Sequence, residues 1–95
     1  MESIQMQKIP IYLKTVTLRD MSNIPDIKDD LKKHMILILR VTPLAQKDVE
    51  ELRKSIDELY IFVQSMGGDI ARLGEERVVI TPPGVKIWRS DLEPR

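Results

Sequence analysis

The sequence predicts an α/β two-layer sandwich, with two helices packed on one face of a four- to five-stranded mixed sheet in the order β-α-β-α-β-β-β. Three observations carry that reading. Short β-rich runs alternate with amphipathic helical stripes, the pattern of strands joined by helices. Residues 35–39 are an unbroken apolar run, Met-Ile-Leu-Ile-Leu, as expected of a strand covered on both faces and therefore central. Near the C-terminus two short strand-like runs, 69–73 and 77–81, are separated only by Gly74, Glu75 and Glu76, a loop of hairpin length.

Residues 1–10 carry Ile4, Met6 and Ile9 without a helical stripe and read as a flexible arm ahead of a core domain over 11–90, with 91–95 as a tail. The first strand spans 11–18, where Tyr12, Thr15, Val16 and Thr17 favour the extended chain. Ser22 and Asn23 supply capping chemistry, Pro25 suits a first helical turn, and Asp26 complements the positive end of the helix dipole. The helix that follows, 25–33, sets Ile24, Ile27 and Leu31 on one side and five charged residues on the other. After the central strand, Arg40, Val41 and the breaker Pro43 close the run.

A long helix is predicted over 46–66, because Ala45, Val49, Leu52, Ile56, Leu59, Val63 and Met66 recur at spacings of four and three. Leu59 to Val63 are consecutive apolar residues and must point several ways round the axis, so this end of the helix contacts more than one thing. Tyr60, Ile61 and Phe62 are the candidate homodimer interface, with the uncovered sheet face as the other surface open to a second copy. Gly67 and Gly68 end the helix and Gly74 turns the hairpin. Thr81-Pro82-Pro83-Gly84 breaks the chain before a last short edge strand over 85–88.

Composition excludes several functions. Ninety-five residues make one domain with a thin core that a partner surface would help to stabilise. Fifteen basic residues balance fifteen acidic ones without a block of either sign, which argues against a phosphate-backbone binder. The absence of cysteine removes disulfides and thiolate chemistry, and a single histidine, His34, builds no metal cluster. No apolar run approaches the roughly 20 residues of a bilayer span. Asp48, Glu50, Glu51, Asp57 and Glu58 read as a solvated helix face partnered by Lys47, Arg53 and Lys54, so no catalytic residue, cofactor or metal is assigned and no enzyme is expected. Gly67-Gly68-Asp69 closes a helix, whereas a phosphate loop opens one. A nucleic-acid platform would need more than Tyr12, Tyr60, Phe62 and Trp88; the one basic cluster to test is Arg72, Arg77, Lys86 and Arg89 near the hairpin edge.

The stretch Gly67-Gly68-Asp69-Ile70-Ala71-Arg72-Leu73-Gly74, followed by Val79-Ile80-Thr81-Pro82-Pro83-Gly84-Val85, resembles the core of the SepF cell-division family, and the order of elements agrees over residues 11–89. The opening Tyr12-Leu13-Lys14-Thr15-Val16 and the ending Ile87-Trp88-Arg89 are most similar to archaeal members. The resemblance implies a homodimeric adaptor that binds the C-terminal tail of the tubulin-like protein FtsZ and tethers its filaments to the cytoplasmic face of the membrane at the division site. It further implies a tail groove lined by the hairpin. Arg72 matches the family's basic position and Val78 its bulky apolar one, often Phe in bacterial members, with Leu73 and Arg77 beside them. Family members begin with an amphipathic membrane helix; residues 1–10 have no such stripe, so attachment is expected through an N-terminal helix absent from this chain. Ile61-Phe62 stand where bacterial members carry a small-residue break linked to rings, so dimers rather than rings are expected. The alternative reading is an RNA- or ribosome-associated module similar to the C-terminal domain of translation initiation factor three, which shares this kind of element order; its neutral charge speaks against nucleic acid.

Overall fold

The hydrophobic alternation of the strands decides the architecture seen in the computed structural model, which describes residues 10–89. Four strands, β1 (Leu13–Thr17), β2 (Ile36–Arg40), β3 (Asp69–Leu73) and β4 (Arg77–Thr81), form one mixed sheet in the order β1-β2-β4-β3. β1 runs parallel to β2, and β4 is antiparallel to both β2 and β3. The apolar run therefore is central, as its composition predicts. Helices α1 (Ile24–Lys32), α2 (Thr42–Lys47) and α3 (Val49–Met66) complete the chain. Ile27 and Leu31 of α1, Leu44 of α2, and Leu59 and Val63 of α3 share one core with Leu37, Leu39, Val78 and Ile80 of the sheet. This is a two-layer sandwich. The arm expected over 1–10 and the tail expected over 91–95 lie outside the described residues, apart from Pro10.

Three predicted elements change. The single long helix over 46–66 is two helices: Pro43 does not break the chain but sits in the first turn of α2, where its missing N–H costs nothing. The break falls at Asp48, whose extended backbone (φ −164°, ψ 102°) lets its carboxylate cap the Glu51 N–H at 3.1 Å. The turn before α1 is capped by Asp20 in a capping box that Asn23 completes, and Ser22 supplies only a donor. The Asp20 carboxylate accepts from the Ser22 N–H, while Asn23 Oδ1 accepts from the N–H groups of Arg19 and Asp20. Residues 85–88 do not add a fifth strand. Gly84 turns the chain at φ +85°, and the next residues are held by side chains of β3 and β4 instead of by a ladder.

The predicted charge partners on the long helix also rearrange. Glu50 pairs with Arg53 as expected of a solvated helix face. Glu51 instead reaches the Met21 N–H at 2.8 Å, and Glu58 pairs with Lys28 of α1 at 2.8 Å, so both tie α3 to the preceding segment.

The junction from α3 into β3 is the tightest point of the fold. Gly67 ends the helix with φ +83° and has open space where a Cβ would lie. Gly68 is different: a Cβ there would sit 2.2 Å from the Thr81 carbonyl oxygen and 3.2 Å from Val63 Cγ1. The strand start and the helix end touch through backbone, which cannot swing aside. Gly68→Ala should therefore lower the melting temperature well beyond Gly67→Ala. Overpacking costs about 1–3 kcal/mol, or about 4–8 °C per kcal/mol in a domain this small. Thermal denaturation of the two variants by circular dichroism checks the order.

Candidate functional site

Among the described residues helices cover one sheet face, and the alternation that buries Leu37, Leu39, Val78 and Ile80 turns their neighbours to the other side. Strand register arranges that open face in rows. Thr15, Ile38, Val79 and Ala71 cross its middle, and the last three are half-buried. Thr17, Arg40, Arg77 and Leu73 cross the end nearest the β3–β4 turn. Leu13, Ile36, Thr81 and Asp69 lie at the opposite end.

At that opposite end residues 85–89 fold back as a strap. The Thr81 hydroxyl accepts from the Asp69 N–H at 2.9 Å and donates to the Val85 carbonyl at 2.6 Å. The Asp69 carboxylate accepts from the Ile87 N–H at 2.8 Å, from the Ile70 N–H at 2.9 Å, and from both terminal nitrogens of Arg89 at 3.0 and 3.1 Å. Arg89 also donates to the Ile70 carbonyl at 3.0 Å. Hydrogen bonding from the Arg89 guanidinium, opposed by burial and helped by the two backbone donors, holds the Asp69 carboxyl below its ordinary value.

The residues singled out in the sequence divide between the two faces. Val78 is only 6% exposed and packs opposite Leu39, so it backs the hairpin from inside the core. Arg72 lies on the same side as Val78 and reaches the Gly74 and Glu75 carbonyls at 3.4 Å, long contacts that leave its guanidinium largely free. Leu73, 51% exposed, and Arg77 are cross-strand neighbours on the open face. Gly74 turns the hairpin at φ +76°. The four hairpin residues thus surround one turn, two on each face.

Tyr60, Ile61 and Phe62 do not form one patch. Tyr60 and Ile61 are exposed in directions about 100° apart, as successive helical residues must be. Phe62 turns inward against the core, with Lys28 Nζ 5.2 Å from its ring centre. The supposed basic cluster also disperses, because Arg89 is engaged by Asp69.

Sequence reasoning missed Arg40. It stands directly opposite Arg77, and neither guanidinium has an ion-pair or hydrogen-bond partner among the described residues. The Val41 N–H donates to the Glu76 carbonyl, which makes the next pair, Arg40 and Arg77, a non-hydrogen-bonded one. Side chains approach most closely in that register, and like charges there are destabilising. The signal was a register between β2 and β4, which no local pattern contains.

Comparison with known proteins agrees with this fold. The family model described as "Cell division protein SepF" matches residues 13–87. The structure is similar to a SepF-like protein from Pyrococcus furiosus, with 27% identity and a TM-score of 0.78 over 86% of this chain and 99% of that one. It is similar in fold to a SepF-like protein from Archaeoglobus fulgidus, with 24% identity and a TM-score of 0.78 over 88% of this chain and 100% of that one. It also resembles the cell division protein SepF from Methanobrevibacter smithii in complex with FtsZ-CTD, with 14% identity and a TM-score of 0.73 over 82% of this chain and 98% of that one. No curated protein sequence matches the chain. The chain belongs to the SepF family of cell division proteins.

The strap yields a pH prediction with a definite sign. A carboxyl whose folded value is lowered stabilises above its unfolded value, 3.8, and that contribution is lost as pH falls through the lower folded value. The strap carries the only tryptophan, Trp88, which is 84% exposed. Its fluorescence anisotropy should drop below about pH 3.8 as Asp69 protonates. In Asp69→Asn, which cannot hold Arg89 as an ion pair, the low anisotropy should already be present at neutral pH with the far-ultraviolet circular dichroism unchanged.

Proposed function

We propose that this SepF-family chain is a non-enzymatic, homodimeric adaptor that binds the C-terminal tail of FtsZ and links its filaments to the cytoplasmic face of the membrane at the division site. The observation that carries the reading is family membership over residues 13–87 together with a similar fold whose structure is that of a complex with FtsZ-CTD. The physical features accord with it. A sheet face with half-buried Ile36, Ile38, Ala71 and Val79, and no helix over it among the described residues, suits a second copy of the chain. It suits one better than the diverging side chains of Tyr60 and Ile61 on α3. Face-to-face packing of two such sheets would leave the turn between β3 and β4 at the rim of the seam. There an extended tail peptide can lie against Leu73 while Arg72 and Arg77 supply charge. Membrane attachment in this reading requires a separate amphipathic segment, and no helix among the described residues is long and apolar enough to cross a bilayer.

Titration calorimetry with a synthetic C-terminal peptide of FtsZ from the same organism tests the proposal. Saturable binding of about one peptide per protomer is expected, weakened about tenfold or more, which is about 1.4 kcal/mol, by Arg72→Glu or Leu73→Asp. Val78→Asp is a poor probe, because it places an unpaired carboxylate in the core and should unfold the domain. Absence of binding at high micromolar peptide would overturn the reading. Steeply salt-dependent binding of RNA in the same assay would move the alternative forward.

A further inference from the structure

Two cations at the turn end of the open face stand directly opposite each other, and neither is neutralised among the described residues. Lys14 is paired with Asp30, Lys28 with Glu58, Arg53 with Glu50 and Arg89 with Asp69. Arg40 and Arg77 face each other across β2 and β4 in the closest cross-strand register, both exposed, with no acidic partner among the described residues. Such an arrangement works against folding. It becomes favourable when an anion sits between the two forks, since each guanidinium can donate a pair of parallel hydrogen bonds to a carboxylate.

We infer that Arg40 and Arg77 together bind a carboxylate of an acidic, partly apolar peptide, with Leu73 beside Arg77 receiving a neighbouring apolar side chain. The inference rests on the tail-binding reading and deepens it, because it names the group on the FtsZ tail that is read and adds Arg40 to the residues that read it. A peptide fits better than a membrane surface or a nucleic acid. Two arginines stand opposite each other here, Glu75 and Glu76 occupy the adjoining turn, and the chain as a whole is neutral. A polyanion would need a broad basic face. Leu73, opposite Arg77, is apolar and exposed, as a mixed peptide requires and a phosphate surface does not.

The test uses the whole chain and three probes: the synthetic FtsZ C-terminal peptide, the same peptide with its Asp and Glu side chains changed to amides, and one with its terminal carboxylate amidated. Arg40→Ala and Arg77→Ala should each weaken the native peptide about tenfold, and should leave unchanged the weaker binding of whichever amide peptide has lost the recognised carboxylate. The two amide peptides distinguish a side-chain from a terminal carboxylate. Arg40→Glu should abolish binding yet raise the melting temperature, because an opposite-charge pair replaces a like-charge one; a merely structural arginine would not give that combination. If the native peptide binds Arg40→Ala and Arg77→Ala as tightly as the unaltered chain, the tail reading survives and this site is overturned. If the unaltered chain binds no peptide, both fall. Sedimentation of the chain with phosphatidylglycerol vesicles that depends on the two arginines would overturn the peptide assignment in favour of lipid.

Discussion

The antiparallel pairing of β2 with β4 is the contact on which the rest of the molecule depends. Leu39 opposite Val78 and Leu37 opposite Ile80 put four apolar side chains on the helix side of the two central strands. Strand side chains alternate strictly, so the same register that builds the core also sends Ile38, Val79, Arg40 and Arg77 to the other face. A slip of one residue would carry one of the two arginines toward the core and turn a core side chain out. Core and exposed face are therefore not separate features: hydrophobic burial on one side fixes the register, and the register fixes the charge pattern on the other.

The helix layer serves that pairing. α1 and α3 close over the leucines, and Lys28 joins them by its ion pair with Glu58 and its position over Phe62. α3 must then hand the chain to an edge strand lying beside β4. The close approach of Gly68 to the Thr81 carbonyl makes that transfer possible, because any larger residue would push β3 away from β4. Beyond β4 the strap returns over the same end of the sheet. There Asp69 satisfies the Ile70 N–H and Arg89 satisfies the Ile70 carbonyl. Side chains thereby occupy main-chain groups that an edge strand otherwise offers to another chain, a known means of discouraging edge-to-edge association.

The sheet separates a helix-covered side, which holds the core, from an open side. The helices hold the strands, and the open face is free to carry an apolar middle and a cationic end. That division accords with a family whose members act in cell division and with a related fold found in complex with FtsZ-CTD. It also explains why the hairpin residues do not act as one surface. Arg72 and Val78 belong to the helix side and Leu73 and Arg77 to the open side, so a partner that meets Arg72, Leu73 and Arg77 must wrap the turn, while Val78 stays buried.

Most of the fold was legible in the sequence because local chemistry determines it. The continuous apolar run marked β2, the helical stripe marked most of α3, and the glycines marked its end and the hairpin turn; the Gly-Gly-Asp-Ile to Thr-Pro-Pro stretch carried the resemblance to the family. What local patterns carried only ambiguously was misread: Thr42-Pro43 and Asp48 with Glu51 are helix-start signals that the long apolar stripe overrode. The fifth strand failed because Asp69 and Thr81 satisfy backbone groups of residues 85–87 that a ladder would have used. The strap and the Arg40–Arg77 pair were beyond sequence alone. Each joins residues far apart in the chain, and only the packed sheet decides which of them stand opposite one another.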